Sequence, residues 1–306
     1  RDRFDFSNQR WIITGASGQL GRQLVRHLSG RGHRITAVAG TNPGRISGAC
    51  EVVSVDLAAC PLPKGLATKD CTIIHLAGTV PREAERTDPS ASGNVAMARN
   101  LAQVRPKRLI LLSSLAASVA EKFPDTARQY GQEKLAVEAI FGDALSKEAV
   151  VTLRPPAIYG PGMSGPITQL AALVGRGLPL PLASVTTARP YVSLGNLLSL
   201  FDCLLDAGSD DWSSLTDVPL EVHDGHLVRT CDLVRHLAVA QGKQARLVPV
   251  PARLLSLAGR VAGKSELVAG ALDPVPCDID MSRLAAIGWH PVERMPGSLR
   301  FLGEGA

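Results

Sequence analysis

Along the first half of the chain the hydrophobic positions switch repeatedly between two periods. Trp11 to Ile13, Ile35 to Ala39, Glu51 to Val55, Thr72 to Leu76, Arg108 to Leu112 and Ala149 to Arg154 are short runs of the kind that form strands in a parallel sheet. Between them the apolar residues recur at helical spacing, as at Leu20, Leu24, Val25 and Leu28, then Val95, Met97, Ala98, Leu101 and Val104, then Leu135, Val137, Ala139 and Ile140. Pro124 and Asp125 read as the opening of the last of these helices. Strands alternating with helices predict an α/β fold built on a doubly wound parallel sheet. After Pro155 and Pro156 the proline and glycine content rises and the alternation breaks down, which places a domain boundary near residue 156.

The first change of period, between Arg10 and Leu28, runs through Gly15, Gly18 and Gly21. A strand, a glycine turn and a helix in that order form a phosphate cradle: the glycines allow a tight turn, close backbone approach to a pyrophosphate and close packing of helix on strand. The helix N-terminus adds unpaired N–H groups and a partial positive charge. Residues 1–156 are therefore expected to form a Rossmann-type dinucleotide-binding domain, joined by a segment near 188–206, and residues 157–306 a smaller C-terminal substrate-binding domain. The end of the second strand has Ala39, Gly40, Thr41 and Asn42 where an acid would accept a ribose 2′-OH, with Arg22 and Arg45 close by in sequence. The cofactor is thus NAD or NADP, and the missing carboxylate favours NADP. Asp56, after the third strand, is read either as a partner for the adenine edge or as a helix N-cap.

Composition removes other classes. The chain has 306 residues, 45% apolar and 20% charged, as expected of a globular protein. Aromatic residues make up only 4% and the net charge of +5 is not gathered into a basic run, so nucleic acid is not an expected partner. The six cysteines are scattered without a C-x-x-C pair, which suits reduced thiols in a cytoplasmic setting. The charged opening Arg1 to Phe6 is unlike a signal-peptide core and lacks an initiator Met, so the chain reads as trimmed. Ser113, Ser114 and Ser118 interrupt the longest apolar tract, so no transmembrane segment is expected.

The fifth strand delivers Ser113 and Ser114 to the carboxyl edge of the sheet, where ligands bind in such folds. Tyr130 and Lys134 follow, four residues apart and on one helical face. A free phenol with a pKa near 10 is a poor base at neutral pH, and lowering it to about 7 requires roughly 4 kcal/mol. A lysine ammonium about 4 Å away supplies roughly that much at an effective dielectric near 20. Burial opposes it and the charge of an oxidised nicotinamide assists it. The pair, with Ser114 holding the reacting oxygen, is sufficient for proton transfer at a carbinol or carbonyl.

With these residues assembled, the chain resembles the extended short-chain dehydrogenase/reductases, in particular the NAD-dependent epimerase/dehydratase family acting on nucleotide sugars. The likeness is carried by Gly15-x-x-Gly18-x-x-Gly21, by His75-Leu-Ala-Gly78, by Asn94 with Asn100-Leu101, by Ser114, Tyr130 and Lys134, and by Arg154-Pro-Pro-Ala-Ile-Tyr-Gly-Pro-Gly162. Gly175 to Leu182, Arg189 to Ser193 and Asp280 to Pro291 are similar to the later segments of the family. The resemblance implies a catalytic trio of Ser114, Tyr130 and Lys134. It implies cofactor contacts from Gly15, Ser17, Gly18, Gln19, Leu20, Gly21, Thr41, Arg45, Asp56, Leu57, Leu76, Ala77, Gly78, Asn94, Ser113, Tyr130, Lys134 and Pro155. Substrate contacts would come from Thr79, Ser114 and Arg189, the last on the diphosphate. The implied activity is an NAD(P)-dependent epimerase working at C4 of a UDP- or other nucleoside-diphosphate sugar for surface polysaccharide. An NADPH-dependent 4-keto-sugar reductase and a non-catalytic NAD(P)-binding sensor are the alternatives, and a reductase of another carbonyl substrate is a further rival. A homodimer through the helices after strands four and five is the family's usual assembly.

Three departures stand out. The segment from Ser114 to Tyr130 is short, Gly195-Asn196 stands where an acid is expected, and the acid after the second strand is absent. His75 reads as a satisfied core histidine. His223-Asp-Gly-His226 has metal-like spacing but reads as a turn, and no metal is expected. Leu254, Leu255, Leu257, Ala258, Val261 and Ala262, with Arg253, Arg260 and Lys264, form a basic amphipathic stretch that reads as a helix packed on its own domain rather than on a membrane.

Overall fold

The computed structural model describes residues 10–67, 70–78, 88, 92–125, 128–261, 272, 275, 277 and 280–303. They divide into two compact units, the first comprising Arg1–Pro155, Leu198–Val222 and Asp280–His290, the second Pro156–Leu197, His223–Ile279 and Pro291–Ala306.

In the first unit β1 (Trp11–Thr14), α1 (Gln19–Gly30), β2 (Ile35–Ala39), β3 (Glu51–Ser54), β4 (Thr72–His75), α2 (Gly93–Ala102), β5 (Arg108–Leu112), α3 (Leu115–Lys122), α4 (Gln129–Ala144) and β6 (Val150–Arg154) follow in order. With β9 (Leu220–Glu221) the strands form a seven-stranded sheet in the order β3-β2-β1-β4-β5-β6-β9. Every pairing is parallel. The central strands β1, β2 and β4 are buried at every residue, as continuous apolar runs require, whereas β3 at the edge is largely exposed. Leu20, Leu24, Val25 and Leu28 are the buried stripe of α1. Val95, Ala98 and Leu101 of α2 pack with Val137 and Phe141 of α4 in one core that includes Ile12, Ile73 and Leu109 of the sheet. Strand order reverses between β1 and β4, which opens a crevice at their carboxyl ends.

One expectation is corrected here. The helix that carries Tyr130 starts at Gln129, with Arg128 as its N-cap, and Pro124 and Asp125 lie in a turn before it. The short segment between Ser114 and Tyr130 is itself mostly helical. Ser114 caps α3 by accepting a hydrogen bond from the Ala116 N–H, so a serine next to small helix-forming residues starts a helix that the weak apolar periodicity of residues 115–122 did not announce.

The second unit contains β7 (Ala157–Tyr159), α5 (Pro166–Gly175), β8 (Ala188–Ser193), the start of α6 (Leu194–Asp206), β10 (Leu227–Arg229), α8 (Thr230–Ala240) and α9 (Ala252–Val261). Its sheet has the order β10-β8-β7, antiparallel between β10 and β8 and parallel between β8 and β7. Tyr159, Tyr191 and Val228 of the strands pack with Ile167, Val174, Val234 and Leu237 of α5 and α8. On α9 Leu255 is buried while Leu254, Leu257, Arg253 and Arg260 are exposed. Of the expected apolar stretch, the side chains of Ala258 and Val261 and the whole of Ala262 and Lys264 lie outside the described residues. Among the described residues no helix is long and apolar enough to cross a membrane.

Candidate active site

The cradle sits at the reversal of strand order. Gly15 ends β1 with φ +72°, and a Cβ there would stand 2.6 Å from the Ala77 nitrogen after β4. Only a glycine permits both the backbone conformation and the approach of the two strand ends. Gly21 faces the Gly15 carbonyl and the Ala16 Cα at 2.7 Å, so its missing side chain lets α1 lie on the turn. Gly18 is the N-cap of α1 with no side-chain cap, and Gln19 and Leu20 begin the helix, so the cap supplies no side-chain acceptor to the first-turn N–H groups. These features fit a pyrophosphate.

Arg22 ties this turn to the loop after β2. Its guanidinium donates to the carbonyls of Ser17 at 2.9 Å, Pro43 at 2.7 Å and Arg45. It thereby shapes the loop, while Thr41 and the Arg45 side chain stay exposed at the end of β2. Asp56 accepts the Ala58 N–H at 3.0 Å within a turn, and among the described residues no helix follows it before β4, so it is not the helix N-cap that sequence offered as one of two alternatives. Leu57 beside it is buried, and its carbonyl accepts from Asn100 at 2.8 Å. Leu76 and Ala77 are half-buried where β4 gives way to Gly78, and Thr79 lies outside the described residues.

Ser113 and Ser114 leave β5 at the carboxyl edge, and Pro155 leaves β6 beside them, its carbonyl accepting the Leu115 N–H at 2.9 Å. Ser114 is hydrogen-bonded to the Tyr130 hydroxyl. Lys134, one turn on, donates to the Leu112 carbonyl at 3.3 Å, and its Nζ lies 5.7 Å from the centre of the Tyr130 ring. A Cβ placed on Gly78 would be 3.4 Å from Lys134 Nζ and 3.5 Å from Asn94 Oδ1, so three of the expected residues meet at one point.

The field differs from the sequence estimate. Burial pushes the Tyr130 phenol above its ordinary value, the Ser114 hydrogen bond lowers it and Glu133 raises it again. Burial also draws Lys134 down to about 8, against Glu138 and Glu133, which favour its charge. The ammonium stands off the ring, and within the protein's own field desolvation outweighs it. His75, expected as a satisfied core residue, is one: Nδ1 meets Thr14 Oγ1 at 2.7 Å, the ring packs edge-on against Phe141, and burial followed by Lys134 lowers its pKa to about 3.

Sequence reasoning missed the charged groups behind the site. Glu133 is 1% exposed and accepts from Asn94 Nδ2 at 2.9 Å and Gln129 Nε2 at 2.8 Å. Glu138 binds Ser113 Oγ and both Nε and Nη2 of Arg154, at 3.0 and 2.5 Å. Arg154 also reaches Glu121 at 2.7 Å and Ser118 at 3.2 Å. A charge in the apolar run of β6 was the available signal, since a buried arginine needs carboxylates.

Arg189 lies half-buried on β8 in the second unit, opposite Val228. In the same unit Asp224 accepts from Tyr159 at 2.7 Å, from the Ser193 N–H at 2.9 Å and from Asn196 Nδ2 at 2.7 Å, while His223 Nδ1 accepts the Gly225 N–H at 3.0 Å. The His-Asp-Gly-His sequence is thus a turn whose carboxylate is turned inward. It also supplies an acid next to Asn196, where the chain departs from the family pattern.

A parallel sheet in this order, a glycine turn at its reversal and a Ser-Tyr-Lys set at its carboxyl edge define a short-chain dehydrogenase/reductase of the extended kind. More narrowly, the chain belongs to the NAD dependent epimerase/dehydratase family, whose sequence model matches residues 11–213. It is 34% identical over 156 residues to a UDP-glucose 4-epimerase of Vibrio cholerae, covering 50% of this chain and 46% of that protein. The chain therefore spans about half the length of that relative. It is 28% identical over 243 residues to a ceramide reductase of Caulobacter vibrioides, covering 78% and 73%. The fold is similar to that of Thermus thermophilus UDP-glucose 4-epimerase in complex with NAD, with TM-score 0.63, 19% identity and coverage of 95% and 96%.

Proposed function

We propose that the protein is an NAD(P)-dependent epimerase acting at C4 of a nucleoside-diphosphate sugar. The observation that carries this reading is the approach of Lys134 and Asn94 to Gly78, near the glycine turn, with Lys134 5.7 Å from the ring of Tyr130 and Tyr130 paired with Ser114. The likeness to the Vibrio cholerae UDP-glucose 4-epimerase supports the substrate class.

In this reading Gly15, Ser17, Gly18, Gln19, Leu20 and Gly21 hold the pyrophosphate. Asp56 and Leu57 border the adenine, and Thr41 and Arg45 lie by the adenosine ribose, with no acid to repel a 2′-phosphate. A nicotinamide held there would supply the acceptor and donor for a hydride exchanged with the sugar carbon. Tyr130 takes the hydroxyl proton as the carbinol becomes a carbonyl and, once the keto-sugar has rotated to present its opposite face for hydride return, gives the proton back to the same oxygen, which Ser114 holds. Lys134 supplies the positive charge that favours the phenolate. Arg189 offers a guanidinium for the substrate diphosphate. The six free cysteines suit a reducing, cytoplasmic setting.

A one-way NADPH-dependent reductase is the second reading. It is favoured by the match to the Caulobacter vibrioides ceramide reductase over 78% of the chain, and by the absent acid after β2.

Purified protein incubated with UDP-glucose, UDP-galactose and their dTDP and GDP counterparts tests both. Epimerisation with only catalytic NAD is expected, and it should vanish in Tyr130→Phe while cofactor affinity persists. Stoichiometric consumption of NADPH with a ketone, and no interconversion of sugars, would overturn the epimerase in favour of the reductase.

A further inference from the structure

Between Tyr130 and Lys134 on α4 lies a buried carboxylate that the proposed chemistry does not use. Glu133 is 1% exposed, and both oxygens are engaged by neutral amides, Asn94 Nδ2 on Oε2 and Gln129 Nε2 on Oε1. Glu138, the stronger influence on Lys134, is gripped by the Arg154 guanidinium at two points. Its charge is therefore largely compensated where it stands. Among the described residues Glu133 hydrogen-bonds to no cation, so its field falls on its neighbours.

We infer that Glu133 is a positioning residue of the Tyr130 and Lys134 site: its carboxylate keeps the Lys134 ammonium charged inside a buried setting and turns the Asn94 amide so that Oδ1 faces the same point at Gly78. The inference rests on the reading of Tyr130 and Lys134 as the proton-transfer pair. Donation of Asn94 Nδ2 to Glu133 leaves Oδ1 directed toward Gly78, where Lys134 Nζ also arrives. The charged and titratable groups around this turn are Tyr130, Lys134 and Glu138 of α4 and His75 of β4, with Arg154 of β6 and Glu121 of α3 beyond Glu138. His75 is held neutral by burial and by Lys134, so it supplies no competing cation near neutral pH. Glu133 is thus the uncompensated anion within reach of a lysine that burial has already drawn to about 8. The same charge raises the phenol, so Glu133 holds both members of the pair in their protonated forms.

Glu133→Gln removes the charge and keeps the shape, and Gln129 at the start of the helix can turn its own amide to accept from the new one. The Lys134 midpoint, read by NMR of 13Cε-labelled lysine and assigned with Lys134→Arg, is expected to fall from about 8 by about one pH unit. The alkaline edge of turnover should move down with it, and Glu133→Asp should restore both. Turnover that falls with the Lys134 midpoint unmoved would show Glu133 to be mere packing and overturn the inference. A midpoint that moves while the alkaline edge does not would uphold the placement of Glu133 and refute the proton-transfer role of Lys134. If the glutamine chain does not fold, Glu133→Met removes the same charge at similar volume and carries the same comparison.

Discussion

Gly131, immediately after Tyr130, is where α3 and α4 touch. A Cβ at this position would press on the Ala116 carbonyl oxygen and lie 3.1 Å from both the Ala116 carbonyl carbon and the Ala120 Cβ. Methyl carbons in contact stand about 3.5–4.0 Å apart, so Gly131→Ala must part the helices by roughly 0.5–1 Å. Overpacking of this kind costs about 1–3 kcal/mol, and alanine returns about 1 kcal/mol of helix propensity. The net loss is about 1 kcal/mol, which for a domain of this size lowers Tm by roughly 2–4 °C. Function should suffer more than stability. Ser114 caps α3 and Tyr130 rides on α4, so parting the helices stretches the hydrogen bond between them. A misplacement near 1 Å lowers rate by about a hundredfold, so a 10- to 100-fold fall in kcat with cofactor affinity intact is expected. Thermal melting and steady-state kinetics on the same preparation measure both quantities. Wild-type turnover in Gly131→Ala would refute the idea that this contact sets the Ser114 to Tyr130 geometry.

Arg154→Met should strand Glu138, whose side chain is 11% exposed, and destabilise the first unit by about 3–5 kcal/mol in urea unfolding. The double variant Arg154→Met with Glu138→Met should recover most of that loss, because an apolar pair replaces a buried ion pair without leaving a lone charge. His75 gives a pH dependence with a fixed sign. Its pKa is about 3 when folded against 6.5 otherwise, so the unfolded chain binds the extra proton. Stability is present above pH 6.5 and is lost as pH falls from there toward about 3. Melting curves of His75→Gln should show a shallower decline over that window; an equal decline would assign the acid sensitivity elsewhere.

Much of the architecture was legible in residue order, because strands buried on both faces and helices with one buried stripe leave distinct periods. The same holds for the glycine turn, where Gly15 answers a local need for positive φ, and for Tyr130 and Lys134, whose spacing puts them on one helical face whatever surrounds them. These are short-range consequences of the chain. The α3 helix was not legible: it depends on a serine cap and on packing against Gly131, not on a strong apolar stripe. Nor was the standing of the charges. Lys134 next to Tyr130 suggested an acidified phenol, but burial and Glu133, which only the packed helices define, push it the other way. Arg154 and Glu138 are 16 residues apart, and Asn94 and Glu133 are 39 apart. Partners at such separations meet only when the sheet and helices are assembled, and the low dielectric that makes their pairing decisive exists only once the chain has closed over them.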